Sequence, residues 1–215
     1  MKIAKGGLYW IITSFLITLF FIALAFFVGS QIKAIIQFIS VLLLLISFLL
    51  LIFFRDPDRK TGNGIVSVAD GTIREISNED DKDVGKCTKI SVFMNIHNVH
   101  VNRMPLDGKI IGITHHNGSH VPAFKKESER NEKVVLLLQT KIGSIKIIQI
   151  AGTIARRIVS YVRQGDEIKK GERIGIIRLG SRVDVYIPNK DIKSIIVKVN
   201  DKVKAGEDTI AEIND

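Results

Sequence analysis

The chain has 215 residues and a formal net charge of +9, from 31 Lys and Arg against 22 Asp and Glu. Its single cysteine, Cys87, rules out an intrachain disulfide and suits a reducing compartment. Every acid lies beyond residue 54, so the remaining 161 residues carry only +6; with few aromatics to stack on bases, this favours an anionic membrane surface and argues against nucleic acid.

The N-terminus comes first in chain order. Residues 8–28 and 34–54 are almost wholly apolar runs of 21 residues each, and only Gly29-Ser30-Gln31-Ile32-Lys33 separates them. About 20 apolar residues span a bilayer as a helix, so residues 1–54 are predicted to form a two-helix transmembrane hairpin. A cleaved signal peptide would have a shorter apolar core and would leave the second run unexplained. Lys2 and Lys5 precede the first run, Arg55, Arg59 and Lys60 follow the second, and the loop carries Lys33 alone. The positive-inside tendency then puts both ends in the cytoplasm, with the following domain facing it from the cell membrane.

Residues 55–215 suit one domain. Short β-branched runs recur at 65–68, 89–93, 109–113, 134–140, 144–150, 174–179, 183–187 and 194–199, punctuated by Gly, Asn and Asp. One helix is predicted at 152–161, where Ile154, Ile158 and Tyr161 recur at helical spacing, and 115–130 reads as a long loop. The fold class is mostly β (α+β) with few helices. Two internal repeats sharpen it. Gly165-Asp166-Glu167-Ile168-Lys169-Lys170-Gly171-Glu172 resembles the segment from Asn200 to Glu207 at an offset of 35. Asp70-Gly71-Thr72-Ile73 resembles Asp107-Gly108-Lys109-Ile110 at an offset of 37. Each looks like a turn feeding a strand. Such turns are similar to those of barrel-sandwich domains of the biotinyl and lipoyl kind, which implies a barrel-sandwich-like β core more than an activity.

The five histidines are His97, His100, His115, His116 and His120. His97 and His100 have a three-residue spacing, but no third ligand or Cys/His quartet accompanies them, so no metal is expected. The other three read as solvated loop residues. Asp70 alone is a turn aspartate, and Ser181 alone is unremarkable. Together with His100 they supply the three residue types of an activated nucleophile: serine, base and orienting acid.

An ordered set of segments carries a more specific signal. It begins with Phe53-Phe54-Arg55-Asp56-Pro57, Ala69-Asp70-Gly71 and Asn98-Val99-His100-Val101-Asn102-Arg103. It continues with Glu129-Arg130-Asn131, Gln149-Ile150-Ala151-Gly152, Ala155-Arg156-Arg157-Ile158 and Gly180-Ser181-Arg182-Val183-Asp184. In this order, from about residue 53 to 188, the chain resembles the short prokaryotic phosphatidylserine decarboxylase proenzymes, with the archaeal archaetidylserine decarboxylases as a variant. Val68 stands where the family has Pro, and Arg182 where many members have Thr; neither removes a group the chemistry requires.

The resemblance implies that Ser181 is the self-processing nucleophile, His100 the base that activates it and Asp70 the residue that orients His100. Cleavage between Gly180 and Ser181 then gives a large chain 1–180 and a small chain 181–215, whose first residue becomes a covalent pyruvoyl cofactor. The ketone forms a Schiff base with a serine-headgroup phospholipid, and loss of CO₂ gives the ethanolamine lipid. His97 occupies the position of a histidine held to assist decarboxylation, and Arg103, Arg156 and Arg157 are candidate contacts for the lipid phosphate. The implied partners are the phospholipid, the bilayer and the two chains of one proenzyme; a homo-oligomer stays open. The competing reading is a non-catalytic, membrane-anchored barrel-sandwich adaptor or transport-complex subunit. It suits the repeats and the apolar runs but gives no reason for Gly180-Ser181 to accompany the other segments.

Overall fold

The computed structural model describes residues 2–119, 130–152, 157–178 and 181–214. It divides into two compact units, residues 1–58 and 59–215.

The first unit is strand β1 (Lys2–Ile3), helix α1 (Leu8–Leu24), helix α2 (Ser30–Phe53) and strand β2 (Arg55–Asp56). β1 and β2 pair antiparallel, which ties the two ends of the helix pair together. Lys2 Nζ, 2.9 Å from Asp58 Oδ1, reinforces the tie. Large apolar side chains such as Leu16, Phe20, Phe38 and Leu45 are exposed along both helices, as lipid would require of them. The buried hydroxyls within the helices are satisfied internally. Thr18 and Ser47 donate to the carbonyls of Ser14 and Leu43, and their hydroxyls lie 3.3 Å apart between the helices. At 1.5 Å per residue α2, with 24 residues, is about 36 Å long and can cross a bilayer core of about 30 Å. α1, with 17 residues, is about 26 Å long. The apolar runs therefore misplace the helix ends. α1 stops at Leu24 because the chain turns there, with Phe27 N–H donating to the Leu24 carbonyl at 3.0 Å. α2 starts at Ser30, ahead of its apolar run, because Gly29 is extended and opens the helix.

The second unit is almost entirely β. Its strands are β3 (Ile65–Val66), β4 (Gly71–Asp81), β5 (Gly85–Met94), β6 (Val101–Arg103), β7 (Gly108–His116), β8 (Lys133–Thr140) and β9 (Gly143–Ile150). Then follow β10 (Ile158–Ser160), β11 (Glu167–Ile168), β12 (Arg173–Ile177), β13 (Ser181–Pro188), β14 (Ile192–Ile195), β15 (Lys202–Val203) and β16 (Thr209–Ile213). Eight form one antiparallel sheet in the order β11-β7-β8-β9-β13-β5-β4-β15, curled into a half-barrel. Register shifts at Ile73/Glu75 and Ile110/Gly112 are the bulges that bend it. Two three-stranded sheets, β10-β12-β6 and β14-β16-β3, accompany it. Alternation along each strand buries Ile90, Val92, Leu136, Leu138, Ile145, Ile147, Val183 and Val185 in one core.

The two sequence repeats are one structural device used twice. The first repeat supplies β11, the second β15, and these are the opposite edges of the large sheet. Each pairs with a copy of the other repeat. Ile168 faces Gly108 on β7, and Val203 faces Gly71 on β4. The backbone bonds match: Ile110 N–H donates to Asp166 O and Ile73 N–H to Asp201 O, both at 2.9 Å. The left-handed turn positions also match, with φ of 97° and 83° at Gly165 and Gly171 and of 77° and 74° at Asn200 and Gly206. Only Asn200 is not glycine, and asparagine is a residue that tolerates this region.

Three expectations change. The helix at 152–161 is not present over its described part: residues 158–160 form β10, paired with β12, because Ile158 and Val159 find a strand partner in Ile176 and Ile177. Residues 153–156 lie outside the described residues. His115 and His116 belong to β7, not to a loop, and His115 Nε2 lies 2.9 Å from Glu132 Oε1. His120 and Glu129 lie outside the described residues. The run at 194–199 forms a strand only to Ile195.

The face of the large sheet away from this core carries charge. Lys146 donates to Asp81, and Asp83 Oδ2 lies 3.3 Å from the same ammonium. Burial alone would raise the Asp81 carboxyl. The Lys146 hydrogen bond and charge and the Asp83 and Val84 N–H groups outweigh it, so its pKa falls below the ordinary 3.8. A carboxyl lowered in the folded state stabilises above its unfolded pKa and stops doing so as pH falls through the folded value. The denaturant midpoint of the wild type should therefore exceed that of Asp81→Asn by a constant amount between pH 7 and about 5. The gap should close below about pH 3.8. A gap that persists unchanged at pH 3 would show that the pair does not act electrostatically.

Candidate active site

Ser181 is the first residue of β13, an inner strand held by β5 on one side and β9 on the other. Its side chain is fully buried. The preceding Leu179 and Gly180 lie outside the described residues, and so does the 180–181 bond. Opposite Ser181 in the ladder stands Met94, the last residue of β5. The Ser181 hydroxyl donates to Met94 Sδ at 3.4 Å.

The chain turns after Met94 and returns as β6. In that turn the Asn98 side chain accepts the Asn95 N–H at 2.8 Å, and His97 is exposed. His100, immediately before β6, is fully buried. Its Nδ1 lies 2.9 Å from the Asn98 carbonyl oxygen. A carbonyl can only accept, so Nδ1 carries the proton and Nε2 keeps the lone pair that a base needs. The His100 carbonyl accepts from Ile177 N–H at 3.3 Å, which places the imidazole segment beside the strand that leads to Ser181.

Two residues further on, Asn102 is also fully buried. Its Nδ2 lies 3.8 Å from Met94 Sδ, and its Oδ1 accepts Gln149 Nε2 at 2.7 Å. Asn131 Nδ2 donates to the Ala151 carbonyl at 2.8 Å, and Arg103 N–H donates to Val68 O at 2.9 Å. These bonds gather the segments around residues 69, 100, 131, 150 and 181, far apart in sequence, into one neighbourhood.

Asp70 is held by partners that the sequence reading does not name. Its carboxylate takes a two-pronged hydrogen bond from Arg59, Nη1 to Oδ1 at 2.5 Å and Nη2 to Oδ2 at 2.7 Å. Oδ1 also accepts Ala205 N–H at 2.8 Å. Among the described residues no hydrogen bond joins Asp70 to His100. The bond to Ala205 belongs to the repeat, since Asp107 accepts Lys170 N–H in the matching position at 2.6 Å. Arg59 is what distinguishes the Asp70 copy. Sequence reading treats Arg59 only as a base flanking the second apolar run; its spacing of 11 from Asp70 gives no signal.

The arginine candidates divide. Arg103 is only 5% exposed and donates to the Gly171 carbonyl at 2.9 Å, so it is held inside the domain. Arg157 is exposed, and Arg156 lies outside the described residues. On the other face of β13, Arg182 Nη2 pairs with the buried Asp184 Oδ2 at 2.8 Å. Burial pushes the Asp184 carboxyl up in spite of Arg182. Burial disfavours charge on Lys89, but Asp184, Glu75 and Glu79 outweigh it and raise the ammonium.

Comparisons with known proteins point to one family. The family model for phosphatidylserine decarboxylase matches residues 46–211. A Methanococcoides burtonii protein described as a candidate archaetidylserine decarboxylase proenzyme is 43% identical over 98% of this chain and 96% of its own. A Methanosarcina barkeri protein of the same description is 44% identical over 98% of both chains. The phosphatidylserine decarboxylase proenzyme of Thermobifida fusca is 49% identical over 72% of this chain and 69% of its own.

Proposed function

Because the chain belongs to the phosphatidylserine decarboxylase family, whose members are carboxy-lyases, we propose that it is made as a proenzyme that cuts itself between Gly180 and Ser181 and then decarboxylates a serine-headgroup phospholipid. The products are CO₂ and the ethanolamine lipid. The observation that supports the reading is a fully buried serine at the head of an inner strand, together with a buried histidine whose Nδ1–H is committed to a carbonyl and whose own carbonyl bonds Ile177 of the preceding strand.

His100 takes the Ser181 proton, and the hydroxyl attacks the Gly180 carbonyl. The peptide becomes an ester, and elimination across Cα–Cβ of residue 181 releases chain 1–180. Serine is needed because its β-oxygen both attacks and departs. The surroundings suit the pyruvoyl group that results, since the 181 side chain lies against a thioether in a site closed to solvent. When present, the ketone at position 181 supplies the electron sink for the carbanion left by CO₂. His97, exposed in the 95–98 turn, is assigned to proton delivery, and Arg157 to the lipid phosphate. Asp70 holds the 205 turn with Arg59, and it orients His100 through the backbone that joins Val68 to Arg103.

A two-tailed lipid leaves the bilayer only at about 0.8 kcal/mol per CH₂, so the enzyme works at the headgroup layer. The apolar helices fit that need as a membrane hairpin with the catalytic unit on the cytoplasmic side. A Lys33→Cys, Cys87→Ala variant should then react with an impermeant maleimide only from outside the cell; labelling from inside alone would reverse the topology. The function itself is tested by mass spectrometry and lipid conversion. The purified protein should yield a small chain of residues 181–215 with a carbonyl terminus, and should form the ethanolamine lipid from diacyl or ether serine lipid in vesicles. An intact chain without that terminus would overturn the self-cleavage.

A further inference from the structure

We propose that Met94 is a positioning residue for self-cleavage: its thioether holds the Ser181 hydroxyl loosely before the peptide breaks, then seats the methyl group that this side chain becomes. The inference rests on the reading that the chain cuts itself at 180–181.

Met94 and Ser181 face each other at the end of the β5–β13 ladder, and both are fully buried. The only hydrogen bond described for the nucleophile is to Met94 sulfur, at 3.4 Å. The same sulfur meets the Asn102 amide at 3.8 Å, and Gln149 fixes Asn102 from behind at 2.7 Å. A buried amide pair thus meets the same thioether that the serine meets. Gln149 Oε1 is buried without a hydrogen-bond partner among the described residues, so this wall has spare polar capacity, yet the hydroxyl contacts sulfur.

A thioether is a weak acceptor and an apolar, polarizable surface. What matters at this place is that the surface is apolar and does not hold the hydroxyl strongly. In the first step Ser181 Oγ bonds to the Gly180 carbonyl carbon, the 180–181 C–N bond breaks, and the nitrogen takes the proton. In the second, the Cα proton leaves, the Cβ–O bond breaks, and Gly180 departs as a carboxylate. A proton then adds to Cβ, and water replaces the nitrogen, which leaves as ammonia. Cβ begins as a hydroxymethyl and ends as a methyl beside the same sulfur. An amide or carboxylate at position 94 would hold the hydroxyl by a bond of ordinary strength before attack, and would face an unmatched methyl afterwards.

The test follows conversion of the 24.0 kDa chain into two fragments on denaturing gels, for the full-length protein in detergent, with thermal melting to verify folding. Met94→Leu, which keeps the volume but lacks the acceptor, should cut at the wild-type rate or faster. Met94→Gln should cut about tenfold more slowly, the rate factor for one retained hydrogen bond. Hydroxylamine, which cleaves esters, should not rescue Met94→Gln, because the block precedes the ester. A folded Met94→Gln that cuts normally, or a folded Met94→Leu that stays whole, overturns the proposal. If Met94→Gln does not fold, Met94→Leu decides alone by the same two outcomes. A wild-type chain that never cuts overturns the self-cleavage itself; a cut wild type with contrary variants overturns only the role of Met94.

Discussion

Ser181→Ala is expected to remain one chain of 24.0 kDa and to lose decarboxylase activity by at least about 10⁴-fold. The loss has two layers. Alanine has no oxygen to attack the preceding carbonyl, so the ester never forms. Without elimination there is no ketone, and the electron sink is missing even if substrate binds. The substitution removes one oxygen from a buried site whose only described partner is a thioether, so folding should be nearly unaffected. Ser181→Thr separates attack from packing. It keeps the hydroxyl but adds a methyl to a fully buried position, and overpacking of about 1–3 kcal/mol should slow cutting without abolishing it. Normal fragments from Ser181→Ala would place the cut elsewhere.

Asp70→Ala should destabilise the second unit by about 3–5 kcal/mol, the cost of leaving a buried charge without its partner. The side chains of Arg59 and Asp70 are 7% and 9% exposed, so water cannot replace the lost carboxylate. Ala205 N–H loses its acceptor as well. The companion variant Arg59→Gln strands the carboxylate instead, but keeps its bond to Ala205. Urea unfolding of Arg59→Met, of Asp70→Leu and of the double variant combining them should show strong non-additivity, with the double variant less damaged than the sum. The same variants bear on His100. If Asp70 serves the base, processing at permissive temperature should fail in Asp70→Asn and survive in Arg59→Gln. Equal processing in both would reduce Asp70 to a structural clamp.

The strands were legible because β-branched runs between Gly, Asn and Asp turns have few other solutions. The repeats showed more than turn chemistry: the Gly165 and Asn200 turns proved to be the two sheet edges, each paired with one of the Asp-Gly turns. The failures have physical causes. Ile154, Ile158 and Tyr161 match a helical period, yet β12 offers Ile158 and Val159 a ladder, and tertiary pairing overrides spacing. His115 and His116 extend β7 because Lys133 and Val134 face them across the sheet, a partner invisible from local sequence. Ser181 and His100 were read from an ordered set of segments. Met94 and Arg59 were not, because their roles follow from register and from a contact across the fold, and a lone Met or Arg announces neither.

The inner position of β13 sets an order of events. A strand bonded to neighbours on both sides cannot be added last by docking at an open rim; it has to be threaded between β5 and β9 while the sheet forms. The segment after the proposed cut also supplies the β15 rim and the middle strand of the β14-β16-β3 sheet. Assembly must therefore precede scission. The uncut polypeptide is the only species that can build this architecture efficiently, and separately made 1–180 and 181–215 fragments should reconstitute poorly. After the proposed cut, the short fragment should stay lodged in the long one until both unfold, leaving an internal chain end inside the sheet.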